Sequence, residues 1–108
     1  YERREIKDII AWLRLIANPA DDEALRRAIA APRRGIGEAS LDLLASVARE
    51  AGVSMLAAAR DGAALPVRGN TRTLLEDFVA LVDGLRAVAV DAAVDELVRE
   101  VVARTGYD

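Results

Sequence analysis

Two glycines separated by one isoleucine, Gly35-Ile36-Gly37, follow Pro32-Arg33-Arg34 and precede Glu38-Ala39-Ser40 and a helical run from Leu41. Glycine takes positive φ at little cost, and it lets another backbone come close where a side chain would stand in the way. Ile36, between the two, is placed to turn inward and pin the bend to a core. A helix starting just past the bend offers N–H groups that no carbonyl of its own first turn satisfies, at the positive end of its dipole. Arg33 and Arg34 add guanidinium groups suited to phosphate. The chemistry is that of a backbone-phosphate contact, with the N–H groups of Gly37 and Ala39 and the Ser40 hydroxyl as donors. Such contacts hold a nucleic acid without reading its bases. The same bend also suits a tight turn between two helices in which glycine serves geometry alone. Residue types leave both readings open.

Other chemistry is sparse. The sequence contains no histidine and no cysteine, which removes the usual zinc ligands, histidine general-base catalysis and any disulfide framework. The adjacent carboxylates Asp21-Asp22, Glu76-Asp77 and Asp95-Glu96 point in different directions when helical, so none forms an acid/base couple. No G-x-x-x-x-G-K-[ST] run cradles a nucleotide phosphate. Catalysis and cofactor binding are not expected of this chain. Trp12, Phe78, Tyr1 and Tyr107 are too scattered for a base-stacking platform, so any nucleic-acid contact is to duplex backbone rather than to a single strand.

Charge narrows the contact further. Net charge is -3, which argues against a surface that grips DNA everywhere. Between residues 26 and 38, however, Arg26, Arg27, Arg33 and Arg34 face a single Glu38, and this local positive excess coincides with the glycine turn. Neutralising about two phosphates there would cost roughly tenfold in affinity between 50 and 200 mM salt.

The elements that must hold the turn are helices. Ile6, Ile9, Ile10, Leu13 and Ile16 recur at three- and four-residue steps, predicting an amphipathic helix that Asn18-Pro19 stops. Asp21 is the expected cap of a short second helix with Leu25 and Ile29 on its apolar edge, ended by Pro32. After the glycine turn, Leu41, Leu44, Val47 and Ala48 share a face until Ala51-Gly52. Ser54 caps a fourth helix running to Ala59, with Val53 as a hydrophobic staple. Residues 61–70 read as a loop, and Asn70 or Thr71 as the cap of a helix bearing Leu74, Leu75, Phe78, Val82 and Leu85. Asp91 is the expected cap of a last helix with Val94, Leu97, Val98, Val101 and Val102 inward, broken at Thr105-Gly106. No stretch alternates like a strand. The expectation is an all-α, irregular orthogonal bundle of about six helices with a helix-hairpin-helix-like Gly-Ile-Gly turn.

At 108 residues the chain fits one domain able to bury about 60–70% of its unfolded surface. No apolar run approaches the roughly 20 residues of a membrane span, so no membrane partner is expected. Its start at Tyr1 suggests a segment of something longer.

Tyr1-Glu2-Arg3-Arg4-Glu5-Ile6-Lys7-Asp8, then Leu13-Arg14-Leu15-Ile16-Ala17-Asn18-Pro19 and Asp21-Asp22, resemble the start of the 2B subdomain of UvrD/PcrA/Rep-type superfamily I DNA helicases. Pro32-Arg33-Arg34-Gly35-Ile36-Gly37 is similar to that subdomain's Gly-Ile-Gly motif, and Thr105-Gly106-Tyr107 to a later landmark. Ser40 stands where the family pattern has threonine, which keeps the hydroxyl. The resemblance implies a single, partial 2B-like domain over residues 1–108, excised from a longer cytoplasmic helicase and lacking the family's remaining 2B helices. It implies an accessory role: touching duplex DNA near a fork and modulating unwinding. The partners would be the helicase motor domains, which would hold ATP and Mg. Carried over by position, Arg33, Arg34, Gly35, Ile36, Gly37, Ala39 and Ser40 are the expected DNA-binding residues. The alternative function is a protein–protein or interdomain interaction module.

Overall fold

The computed structural model describes residues 3–61 and 65–105. Six helices and no strand are found among them: α1 (Arg3–Ala17), α2 (Asp22–Ala28), α3 (Glu38–Ala51), α4 (Met55–Arg60), α5 (Gly69–Ala89) and α6 (Val94–Thr105). The all-α expectation holds. Helix α1 packs on α2, α3 on α4, and the long α5 runs against α1, α4 and α6. Nine residues, the glycine turn among them, join α2 to α3. Tyr1, Glu2, Gly106 and Tyr107, quoted above for the resemblance, lie outside the described residues.

Local chemistry explains most of the helix ends. The Asp21 carboxylate accepts from the Ala24 N–H at 3.0 Å and caps α2, as its position predicts. Asp22 reaches away from its own helix and accepts from the Met55 N–H at 2.9 Å, tying α2 to the start of α4. Ser54 caps α4 through the Ala57 N–H. Gly52 ends α3 with φ of +70°, the left-handed conformation that glycine adopts without strain.

Three expectations need correction. Helix α5 starts at Gly69 with Arg68 at the cap position, ahead of Asn70 and Thr71. Its entry is held by the Arg72 side chain, which donates to the Leu65 and Val67 carbonyls at 3.2 and 3.4 Å, so no side-chain cap is used. Asp91 lies in a turn and α6 begins three residues later, its first carbonyl acceptor being Ala93; Val94 is 73% exposed rather than inward. The inward stripe of α1 is also rotated from the one expected. Ile6 and Ile10 are each 46% exposed, while Trp12 and Leu15 are fully buried. The polar residue on that stripe, Asp8, disguises it in the sequence; it is buried and paired with Arg27 at 2.7 Å.

The core gathers Trp12, Leu25, Leu44, Leu56, Phe78 and Val101 from all six helices. Trp12 meets Phe78 with ring centroids 5.4 Å apart, and its indole N–H donates to the Ala31 carbonyl at 2.8 Å. That bond fixes the chain just ahead of the glycine turn, where the Ala31–Pro32 peptide is cis.

Candidate nucleic-acid interface

The two glycines of the turn do different work. Gly35 has φ of +82°, so glycine is needed there for conformation; a Cβ built on it would only touch Leu74 at 3.7 Å. Gly37 caps α3 with φ of −84° and ψ of 171°, a geometry open to any residue. A Cβ at Gly37 would meet nothing within 4 Å. Neither backbone strain nor internal packing therefore calls for glycine at position 37, and the space its missing side chain leaves is outside the molecule. Ile36 turns in and packs against the core, as expected of a pin.

Beyond Gly37 the start of α3 has no side-chain cap. The first intrahelical bond is from the Leu41 N–H to the Gly37 carbonyl at 3.1 Å. The N–H groups of Glu38, Ala39 and Ser40 precede it and are left over by helix geometry, without a protein acceptor among the described residues. Gly37, Glu38 and Ala39 are exposed and Ser40 is half-buried. They lie between two shallow depressions. One, of about 400 Å³, is lined by Arg33, Arg34, residues 35–38 and Leu41. The other, of about 250 Å³, lies between Ala39, Ser40 and Leu43 on one side and Val67, Arg68 and Thr71 on the other.

The arginines expected to act together do not. Arg26 reaches Asp42 at 3.1 Å and Glu38 at 3.6 Å, and Arg27 is committed to Asp8. Arg34, an expected phosphate ligand, turns into the protein. One terminal nitrogen donates to the carbonyls of Pro32, Ile29 and Ala28 at 2.7, 3.3 and 3.4 Å, and the other to the Thr105 carbonyl at 3.4 Å. Its guanidinium carbon sits 5.3 Å from the Trp12 ring centroid and 5.7 Å from that of Phe78, within cation–π range. Burial pushes the Arg34 pKa below its ordinary value. Arg33 remains at the surface.

A second surface cation stands beside the start of α3, and sequence reasoning missed it. Arg68 is exposed at the head of α5, across the smaller depression from Ala39 and Ser40. Twenty-eight positions separate Arg68 from Ser40, and no short motif joins them. Neither Arg33 nor Arg68 has a side-chain partner among the described residues. The two cations flank three amides that lack an acceptor among the described residues, a combination chemically suited to an anion. Among the described residues no three carboxylates gather to hold a metal ion, and no helix is long and apolar enough to cross a membrane.

Residues 1–100 match the UvrD-like helicase C-terminal domain. The chain is 35% identical over 107 residues to the ATP-dependent DNA helicase PcrA of Bacillus subtilis, covering 99% of this chain and 14% of that protein. It is 40% identical over 110 residues to the ATP-dependent DNA helicase UvrD1 of Mycobacterium tuberculosis, again covering 99% and 14%. Identity to DNA helicase II of Escherichia coli is 33% over 113 residues, covering all of this chain and 16% of that protein. The chain thus spans about one seventh of the length of these relatives.

Proposed function

Because this chain belongs to the UvrD-like helicase C-terminal domain family, we propose that it is a 2B-type accessory subdomain of an ATP-dependent DNA helicase. It touches duplex backbone near the fork through the Gly35-Ile36-Gly37 turn and the start of α3, and so modulates unwinding. ATP and Mg belong to motor domains elsewhere in the parent protein. In this reading the N–H groups of Gly37 and Ala39, with the Ser40 hydroxyl, hold one phosphate, while Arg33 and Arg68 draw in the strand on either side. Arg34 leaves the set of direct ligands and Arg68 joins it.

The observation that carries the reading is the second glycine. Gly35 is accounted for by its positive φ. Gly37 has ordinary dihedrals and open space where its side chain would be, next to amides that lack an acceptor. A ligand approaching from outside is what makes use of that gap. The acidic net charge and the internal engagement of Arg26, Arg27 and Arg34 favour the other reading, a surface that docks other protein domains.

A titration with blunt duplex at low salt, followed by amide NMR, separates the two. Duplex binding should shift the signals of residues 35–40. With Arg33 and Arg68 each releasing about one counterion, affinity should fall roughly tenfold between 50 and 200 mM salt, and Arg33→Ala should lower the log–log slope by about 0.9. Turn amides that stay in place at low salt, or a slope unchanged by Arg33→Ala, would reject the duplex contact.

A further inference from the structure

We infer that Arg34 is a positioning residue, which holds the glycine turn in register with the C-terminal ends of α2 and α6 and does not itself touch phosphate. The inference rests on the duplex-contact reading and assigns the turn's second arginine a different role from the first.

Ala28 is the last residue of α2 and Ile29 its cap, at the end where helix carbonyls run out of N–H partners; the Ala28 carbonyl also accepts from the Ala31 N–H at 3.1 Å. Thr105 is the last residue of α6. A single guanidinium therefore bridges the negative ends of two helix dipoles while also holding the Pro32 carbonyl two residues behind it. The Trp12 and Phe78 rings lie within cation–π distance of it, so the charge needs no carboxylate to be accommodated. The residue that follows is Gly35, whose left-handed backbone throws the chain outward toward Gly37 and the free amides. The direction of the exposed turn is thus set by a side chain anchored in the core, with one anchor 71 positions away in the chain.

Lysine cannot reproduce this. Its single ammonium lacks the planar fork that spans Pro32 on one nitrogen and Thr105 on the other, and it cannot stack as a plate. At a phosphate-binding position the same exchange keeps the charge and most of the contact. Arg34→Lys therefore tells the two roles apart.

The test uses this chain, with binding followed by anisotropy of a labelled blunt duplex and folding followed by the emission of Trp12. We expect Arg34→Lys to stay folded, to shift the DNA-free amide signals of residues 35–40, to bind duplex about tenfold more weakly, and to keep the wild-type salt slope. Arg33→Ala should do the reverse: an unchanged DNA-free turn spectrum and a slope lower by about 0.9. Wild-type affinity in Arg34→Lys, or a slope reduced as in Arg33→Ala, overturns the assignment. If Arg34→Lys does not fold, the wild-type side-chain N–H signals decide. Those of Arg34 should exchange slowly with water and be unaffected by duplex, while those of Arg33 and Arg68 move; an Arg34 signal that exchanges fast and moves with the other two refutes the inference. Should the wild-type chain fail to bind duplex, the functional reading falls, yet the DNA-free spectrum of Arg34→Lys still tests the positioning role: an unshifted turn refutes it.

Discussion

Gly37→Asp should raise the stability of the fold and weaken duplex binding, two effects of opposite sign from one substitution. Position 37 already has the dihedrals of a helix N-cap, and nothing within 4 Å obstructs a Cβ. An aspartate there reaches back to the amides of α3 as Asp21 does for α2. Replacing a glycine cap with aspartate contributes a few tenths of a kcal/mol, and a carboxylate at a helix N-terminus adds about 0.3–1 kcal/mol. Together these amount to roughly 0.5–1 kcal/mol, or about 2–6 °C in Tm for a domain of this size. The same carboxylate takes the amides that the phosphate is proposed to use. A hydrogen bond to a charged group is worth about 1.5–3 kcal/mol, so duplex affinity should drop at least about tenfold. Melting followed by emission of the fully buried Trp12, and anisotropy at 50 mM salt, measure the two effects on one sample. Gly37→Asn separates capping from charge. A variant that melts higher yet binds duplex within twofold of the wild type would refute the reasoning.

Gly35→Ala should destabilise by about 1 kcal/mol, since the left-handed backbone is the whole cost and Leu74 at 3.7 Å is an ordinary contact; Gly35→Asn should cost less, and urea melts showing equal stability for all three would contradict the positive φ. The hydrogen bonds from Arg60 hold the Asp83 carboxyl below the usual carboxylate range. A depressed folded pKa contributes stability that is present above the unfolded value of about 4 and is lost as pH falls through the folded value. Both side chains are 45% exposed, so solvent screening limits the pair to less than about 1 kcal/mol. The cost of Arg60→Ala should be fully present at pH 6 and shrink toward pH 3, and melts in which it grows with acidity would reverse the sign.

What could be read along the chain was whatever depends on neighbours a few positions away. The caps at Asp21 and Ser54, the stop at Gly52 and the six helices follow from side chains competing for nearby backbone groups and from apolar spacing. The glycine turn was visible for the same reason, including its inward Ile36. Tertiary structure decided the rest, because long side chains go to partners that the local sequence does not contain. Arg34 finds Thr105, Trp12 and Phe78, while Arg33, one position earlier, stays in solvent. Asp8 is buried against Arg27 on the stripe that carries Trp12 and Leu15 into the core, and Ile6 and Ile10 are left exposed. Arg68 lines the same depression as Ser40 only because the head of α5 lies across it from the start of α3. The residue types determined that a glycine turn opens onto a helix start, and the packing of α1, α5 and α6 decided which cations stay at the surface beside it.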